Sequence, residues 1–323
     1  MDAFFGAITS ILPEMPAWIL ASTGFYFAYR IMNFPDITVD GSFVAGSVAA
    51  ATVAFHSASS LGGLFLSIIL GLFSGSITCL IYLIYPRNAY KMLSGIFVVL
   101  GLYSLNFRLL DHRTELSFGY ISTGMNQLND FEIQNSFPVR FLLGLGIILF
   151  VDLGLWYLLK TKFGLILRSV GTRPKLEGLK PRRFLLVGIA LANILVGIGG
   201  WFYASVNSYA RISVFGTIIH ALAISIIGEM VIGSMPFLKD KRISPSTILL
   251  TPIVGSIIYL FVKGGVYFLM VDPQSELVSI NQQDMNAVVA LLLIVILILV
   301  RFFKFLHKKF SIDDYETELV GEL

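Results

Sequence analysis

Long apolar stretches separated by short polar ones set the pattern of this chain. A helix needs about 20 predominantly apolar residues to cross the hydrocarbon core of a bilayer. The hydrophobicity is nearly all-round, which favours bundle and lipid-facing helices over soluble amphipathic ones. The pattern therefore predicts an all-α, polytopic membrane bundle of about eight or nine transmembrane segments, with spans at about 17–31, 42–57, 61–85, 92–110, 139–160, 184–206, 215–236, 246–270 and 285–303.

The first two apolar stretches are interrupted at Asn33–Ser42, which contains Pro35 and two carboxylates, Asp36 and Asp40. Pro35 lacks an N–H and disfavours helix at the residue before it. An Asp side chain can accept from N–H groups two or three residues further on. We therefore expect a broken helix near the N-terminus, supported by Asp36 or Asp40.

Two interpretations of this break stay open at the level of sequence. It is either a cytoplasmic turn, with the N-terminus outside, or irregular backbone at membrane depth, with the N-terminus inside. In an ordinary loop, Asp40 or Ser42 would cap the next helix. Irregular backbone at membrane depth is tolerated where it lines a water-filled cavity, as in transport pathways.

Lys and Arg are distributed asymmetrically between the loops. Cytoplasmic loops are enriched in these residues, which predicts cytoplasmic loops around 87–91, 160–183, 239–242 and 301–309 and external loops at 111–138, 207–214 and 271–284. The C-terminus is then cytoplasmic. We expect one transmembrane domain over residues 1–310, followed by an acidic tail at 311–323.

Composition narrows the function classes. The chain of 323 residues is 56% hydrophobic and only 13% charged, with a mean hydropathy of +0.82. Its formal charge of +3 does not indicate a nucleic-acid partner, because the basic residues lie in membrane-flanking loops. The sequence contains no P-loop, no H-E-x-x-H, no G-x-S-x-G and a single cysteine, Cys79. We therefore expect no enzyme activity, no metal site and no cofactor in this chain.

The most basic internal loop holds eight Lys/Arg between Lys160 and Arg183 against one acid, Glu177. Within it, residues 168–179 form a short segment that can be helical, placed where a cytosolic partner could reach it. Polar groups inside apolar segments are costly and face the bundle interior or a pathway. They are Glu229 and Lys263 and, more weakly, Asn106, Asn193 and His220. Recurrent glycines predict close helix packing, at positions 71, 75, 144, 146, 197, 199 and 200.

Three stretches, at 30–43, at 93–108 and from 167 through Arg173-Pro174 to Glu229, together resemble the permease subunits of ABC importers of the branched-chain amino acid/ribose type. The nearest branch is the one often assigned to tryptophan or tyrosine uptake. The resemblance covers roughly residues 17–300. It implies a bacterial inner-membrane protein that forms a homodimer, docks cytosolic ATPases that bind ATP-Mg, and receives substrate from an extracytoplasmic binding protein.

The resemblance also implies roles for particular residues. It implies an ATPase-coupling loop, in which we place Arg168, Gly171, Arg173, Pro174, Glu177 and Gly178. The candidates for the translocation pathway are Asn33, Asp36, Asp40, Asn106 and Glu229. Two departures bear on the coupling loop: Arg173 stands where the family usually has Asn, and Glu177 where it usually has a small residue. The loop also closes early at Gly178, which puts the fit to a standard ATPase in question.

The sequence thus predicts the permease subunit of an ATP-driven importer of a small solute, most simply an amino acid, working by alternating access. One alternative is an ion-coupled secondary transporter with Asp36, Asp40 or Glu229 as ion sites. Another is a non-transporting membrane scaffold, for which the shortened coupling loop is the main argument.

Overall fold

The structure of the chain, a computed structural model, is a bundle of apolar helices. The structure describes residues 11–57, 59–118, 137–172, 181–212, 216–234 and 244–271, with residues 291, 294, 295 and 298. Residues Thr9–Leu260 form one compact unit, and Met1–Ile8 with Phe261–Leu323 form a second. The pathway candidates belong to the first unit, and so do the two coupling candidates that the structure describes, Arg168 and Gly171.

Nine α-helices are described in these ranges, after a 3-10 turn at Leu12–Glu14. A π-helical turn, Phe27–Ile31, extends the first helix. In chain order they are α1 Met15–Tyr26, α2 Thr38–Ser57, α3 Ser60–Ile84, α4 Asn88–Leu109, α5 Phe137–Lys160, α6 Lys162–Thr172, α7 Pro181–Asn207, α8 Thr217–Ser234 and α9 Pro245–Val271. These confirm an all-α polytopic bundle with a break after its first helix.

Five of these helices are long and apolar enough to span a membrane alone: α2, α3, α4, α7 and α9. α5 and α6 make a sixth candidate if the bent pair counts as one span, and α8 is a shorter apolar helix. The predicted segment at 285–303 lies largely outside the described residues. The predicted count of eight or nine spans therefore stays a prediction.

α1, α2 and α7 form the centre of the unit. α1 is buried along its whole length, and α7 packs against α1, α2 and α3. Glycines bring these helices together: a Cβ on Gly46 would overlap the carbonyl oxygen of Gly197. In lipid the hydrophobic effect does not drive helices together, so the van der Waals contact that this close approach allows contributes to their association. Gly146, grouped with these glycines by sequence, has no described atom within 4 Å of an added Cβ, so a packing role there is wrong.

A two-stranded antiparallel sheet joins two of the predicted external loops, and sequence reasoning missed it. β1 (Glu115–Ser117) follows α4 and β2 (Tyr209–Arg211) follows α7. Arg211 and Glu115 form an ion pair at 2.8 Å, and their hydrogen bond raises the pKa of the Arg211 guanidinium. The sheet places the C-terminal ends of α4 and α7 on one side of the bundle.

The packing of α1 decides how the chain enters the bundle. Gly199 on α7 lies against Ala17, and Gly24 on α1 lies against Ala192, so α1 and α7 are antiparallel. Because α7 ends at the sheet, α1 begins on the sheet side. The break after α1 therefore lies towards the opposite side, and α2 returns from it.

Candidate functional site

The break between α1 and α2 is a buried polar network. Asp36 is fully buried. Its Oδ1 accepts from the backbone N of Thr38 at 2.8 Å and its Oδ2 from Nδ2 of Asn193 at 2.7 Å. Ser42 donates to Oδ1 of Asn193 at 2.6 Å and lies 2.7 Å from Oγ of Ser74. Side chains of α3 and α7 thus hold the irregular segment and the start of α2.

The break combines a feature of each sequence interpretation. An added Cβ on Gly95 would lie 3.1 Å from the backbone N of Ile37, and Gly95 stands about two turns inside α4. Phe34 is fully buried, whereas Asn33 is exposed and adopts a left-handed conformation, with φ of 50°. The segment is therefore a turn between two antiparallel helices, as the first interpretation had it, but it is buried among neighbouring helices.

The capping of α2 by Asp40 or Ser42, which the ordinary-loop interpretation implied, is wrong. α2 begins at Thr38, so Asp40 and Ser42 lie inside its first turns, and Asp36 accepts the N–H of Thr38 instead. Sequence reasoning placed the helix start about four residues late, because Thr38 and Val39 precede the uninterrupted apolar run. The hydrogen bond from Asp36 to an N–H two residues on is the local pattern expected of Asp.

Asp40 accepts hydrogen bonds from the start of α8, which is distant from it in sequence. Its Oδ1 accepts from the N of Ile218 at 2.8 Å, and its Oδ2 from the N of Gly216 at 3.3 Å. The carboxylate therefore caps the N-terminus of α8, where negative charge complements the helix dipole. Gly216 has a φ of +105°, which an L side chain rarely adopts. α8 thus starts inside the bundle, tied to the first turn of α2.

Asn106 lies on α4 close to the same region and is 1% exposed. A cavity of about 10 Å³, large enough for one water molecule, is lined by Asp40, Asn106 and Ile212 among others. Oδ1 of Asn106 has no hydrogen-bond partner in the described part of the chain. Asn106 therefore lies near Asp40 at this cavity, whereas Asp36 lies at the break itself.

The two remaining pathway candidates lie near the C-terminal end of α1. Glu229 on α8 accepts from the Tyr26 hydroxyl at 2.9 Å and pairs with Arg30 at 3.3 Å. The carbonyl oxygen of Asn33 accepts from Nζ of Lys91 at 2.8 Å. Sequence reasoning missed Arg30 and Lys91, although a lone acid in an apolar helix is itself a signal for a basic partner on a neighbouring helix. These contacts tie α1 to α4 and α8.

The predicted coupling loop begins as a helix. α6 is bent by 82° from α5. Arg168 donates to the carbonyl oxygen of Leu159 at 3.1 Å, and Leu167 and Val170 pack into the bundle, while Leu165 is 55% exposed. Gly164 makes the bend possible, because a Cβ there would overlap the end of α5. α6 is therefore a short amphipathic helix folded back at the end of a long one.

Gly171 lies in the last turn of α6. The other coupling candidates, Arg173, Pro174, Glu177 and Gly178, lie outside the described residues. Their role stays a prediction.

A pocket of about 680 Å³ lies between α3, α5 and α7. Its lining is apolar, with Leu64, Phe150 and Trp201 among the residues that form it. A site for a polar solute needs a few placed polar groups, so this pocket does not have the chemistry of a solute site. The polar network at the break remains the stronger candidate.

Comparison with known proteins places the chain in a family. The family model described as branched-chain amino acid transport system / permease component matches residues 7–299. A tyrosine transport system permease protein of Clostridioides difficile (strain R20291) is 26% identical over 267 residues, which cover 81% of this chain and 83% of that protein. An uncharacterised protein of Rickettsia prowazekii (strain Madrid E) is 30% identical over 223 residues, 67% of this chain and 73% of that one.

Proposed function

The chain belongs to the family of permease components of branched-chain amino acid transport systems, and we propose that it is the transmembrane subunit of an ATP-driven importer of an amino acid. The match over residues 7–299 carries this proposal, because it covers every residue that the structure describes. The name of the C. difficile relative makes tyrosine the first substrate to test.

Alternating access would work through two features of the bundle. α6 would receive the movement of a cytosolic ATPase and pass it to α5 through the 82° elbow. At the break around Asp36 and at the capped start of α8, the backbone departs from the helical hydrogen-bond pattern. Transporters place such discontinuous helices beside the transport path, and the helices on either side would reorient there. An extracytoplasmic binding protein and a second copy of the chain would complete the importer.

The energy source separates this function from an ion-coupled transporter. We expect labelled tyrosine uptake by cells overexpressing the chain with its ATPase to stop when ATP is depleted and to persist when an ionophore collapses the ion gradients. Loss of uptake with the ionophore at constant ATP would establish the ion-coupled alternative. No uptake of tyrosine or any other amino acid, with ATPase and binding protein present, would favour the scaffold.

The coupling surface can be tested on α6 itself. Leu165→Lys changes an exposed position on the outward face of α6, so we expect normal membrane insertion but loss of ATPase co-purification. Leu61→Lys is the matched control, because Leu61 is 68% exposed at the start of α3, on the side of the bundle that carries the sheet. Glu177→Arg should likewise weaken the complex. Wild-type yield of the ATPase after deletion of residues 171–178 would contradict the assignment.

A further inference from the structure

Asp152 on α5 is a buried carboxylate that the proposed transport cycle does not use. Its residue is 7% exposed, and neither Oδ1 nor Oδ2 has a hydrogen-bond partner among the described residues. The ion pairs of the described residues do not include it either; they join Arg30 to Glu229, His56 to Asp111 and Arg211 to Glu115. A carboxylate in this position is unlike Asp36 or Asp40, both of which accept hydrogen bonds from other groups.

A second unpartnered polar group lies on the helix that faces it. Thr23 on α1 is 2% exposed, and its hydroxyl has no partner in the described ranges. It shares a helix face with Pro16 and Phe27, and Pro16 fills the space that a Cβ on Gly144 of α5 would need. Thr23 is about two turns beyond Pro16, and Asp152 about two turns beyond Gly144.

The relative direction of α1 and α5 follows from their ends. Pro16 and Gly144 lie near the starts of the two helices, and Phe27 and Leu159, near their ends, share one apolar cluster. The helices therefore run parallel. Counted from the contact of Pro16 with Gly144, Thr23 and Asp152 therefore lie at similar heights along the two helices.

The charged groups on the elements packed against α5 are engaged elsewhere. α1, α6 and the 3-10 turn make the most extensive of these contacts, and α7 and α9 also reach α5, through Phe202 beside Gly144 and Ser246 beside Trp156. On α1, α6 and the turn, Arg30 and Tyr26 contact Glu229, Glu14 accepts from Trp18, Arg168 donates to Leu159 and Lys162 is exposed, while Lys160 at the end of α5 lies over the ring of Trp156. On α7, Arg182 and Arg183 are exposed at its start, and on α9, Lys263 stands nearly five turns beyond Ser246. An ionised Asp152 would thus be a buried charge with no compensating group, which proteins avoid by neutralising the side chain.

We propose that Asp152 is a proton-binding site, whose carboxyl carries its proton in this conformation and releases it to water only when α5 moves away from α1. The reaction is the loss of H⁺ from the carboxylic acid to a water molecule, which leaves a carboxylate. A metal cation is disfavoured as the occupant because two carboxyl oxygens and one hydroxyl are fewer than the six or more ligands that hard cations take. The described residues also contain no group of three His, Cys, Asp or Glu side chains that could hold a metal.

The position of Asp152 on α5 would couple release of its proton to movement of the α5–α6 elbow. α5 leads directly into the elbow with α6, which Arg168 closes by bonding to Leu159. Since Asp152 lies about two turns before Leu159, a movement of α6 that pulls on α5 would also move Asp152 at the α1–α5 interface. Proton release would then accompany movement of the elbow, whatever drives that movement.

The test compares the purified full-length chain with Asp152→Asn, a neutral isostere of the protonated acid. The control, Asp111→Asn, makes the same exchange at an exposed carboxylate, whose side chain is 58% accessible. We expect the infrared carbonyl band of a buried carboxylic acid to diminish in D152N and to be unchanged in D111N. We also expect D152N to match the wild type in thermal stability at acidic pH and to exceed it increasingly as the pH is raised, because ionisation disfavours the wild-type fold alone.

Three outcomes would overturn the proposal. The first is an infrared spectrum in which D152N retains the full carboxylic-acid band. The second is a wild-type stability that rises with sodium or potassium concentration while that of D152N does not, which would make a metal cation the occupant. The third is failure of both D152N and Asp152→Leu to fold, since a protonated acid in an apolar site is replaceable by neutral side chains. None of these readouts depends on ATP or on transport.

Discussion

Replacing Asp36 by Ala tests whether the break is held by its buried hydrogen bonds. The side chain accepts from two donors, the backbone N–H of Thr38 and one N–H of Asn193, and both groups are fully buried. Leaving a buried donor unpaired costs about 1–3 kcal/mol, so two donors set an upper range of about 2–6 kcal/mol. Interhelical polar contacts in membranes measure nearer to about 0.6 kcal/mol, because the unfolded chain in lipid also finds partners. We therefore expect a loss of about 2 kcal/mol.

The conservative variant and a double-mutant cycle separate the two donors. Asp36→Asn keeps one acceptor for Thr38, so it should cost less than Asp36→Ala. Asn193→Ala removes the second donor, and its cycle with Asp36→Ala should give a coupling energy of about 0.6–1.7 kcal/mol. The control is Asp111→Ala, at an exposed acid whose 3.9 Å contact with His56 should contribute little.

The assay is unfolding of the purified protein from detergent micelles with a denaturing detergent, followed by uptake in proteoliposomes at matched folded amounts. If the break also lines the pathway, Asp36→Ala should reduce uptake by more than it reduces folded yield. Stability and uptake equal to the wild type in both Asp36 variants would refute the reasoning, and the segment would then be a turn whose hydrogen bonds water can replace.

Three further outcomes follow from the packing. Gly46→Leu should prevent stable folding, because its Cβ would overlap a backbone carbonyl of α7, whereas Gly146→Leu should leave the melting temperature unchanged at an open position. Glu229→Gln keeps the hydrogen bond from Tyr26 but loses the ion pair with a half-exposed arginine, so stability should fall by about 1 kcal/mol or less in a detergent-unfolding assay, and the loss should shrink with added salt. Arg211→Ala should cost no more than about 1 kcal/mol by the same assay, since its pair on the sheet is solvent-exposed; a larger loss would mean that the sheet holds α4 and α7 together.

The sequence determined the class of the protein and the places where its helices stop. Runs of apolar residues about as long as a bilayer is thick leave a helix bundle as the solution, because backbone groups in lipid must be satisfied within the segment. Pro35 and the two carboxylates marked the break, since a missing donor and local acceptors change the backbone wherever they occur. The hydrogen bond from Thr38 to Asp36 belongs to the same local chemistry and was predictable.

Only the tertiary structure decided which distant groups meet. Asp40 caps α8 from 176 residues away in sequence, Asn193 reaches Asp36 over 157 residues, and β1 pairs with β2 across three helices. The local sequence around either partner does not identify the other. The helices are hydrophobic nearly all round, so they lack the amphipathic pattern that would show which face of each is buried. Asp152 was missed for the same reason: sequence places an acid in an apolar helix, but only packing leaves it buried without a partner among the described residues.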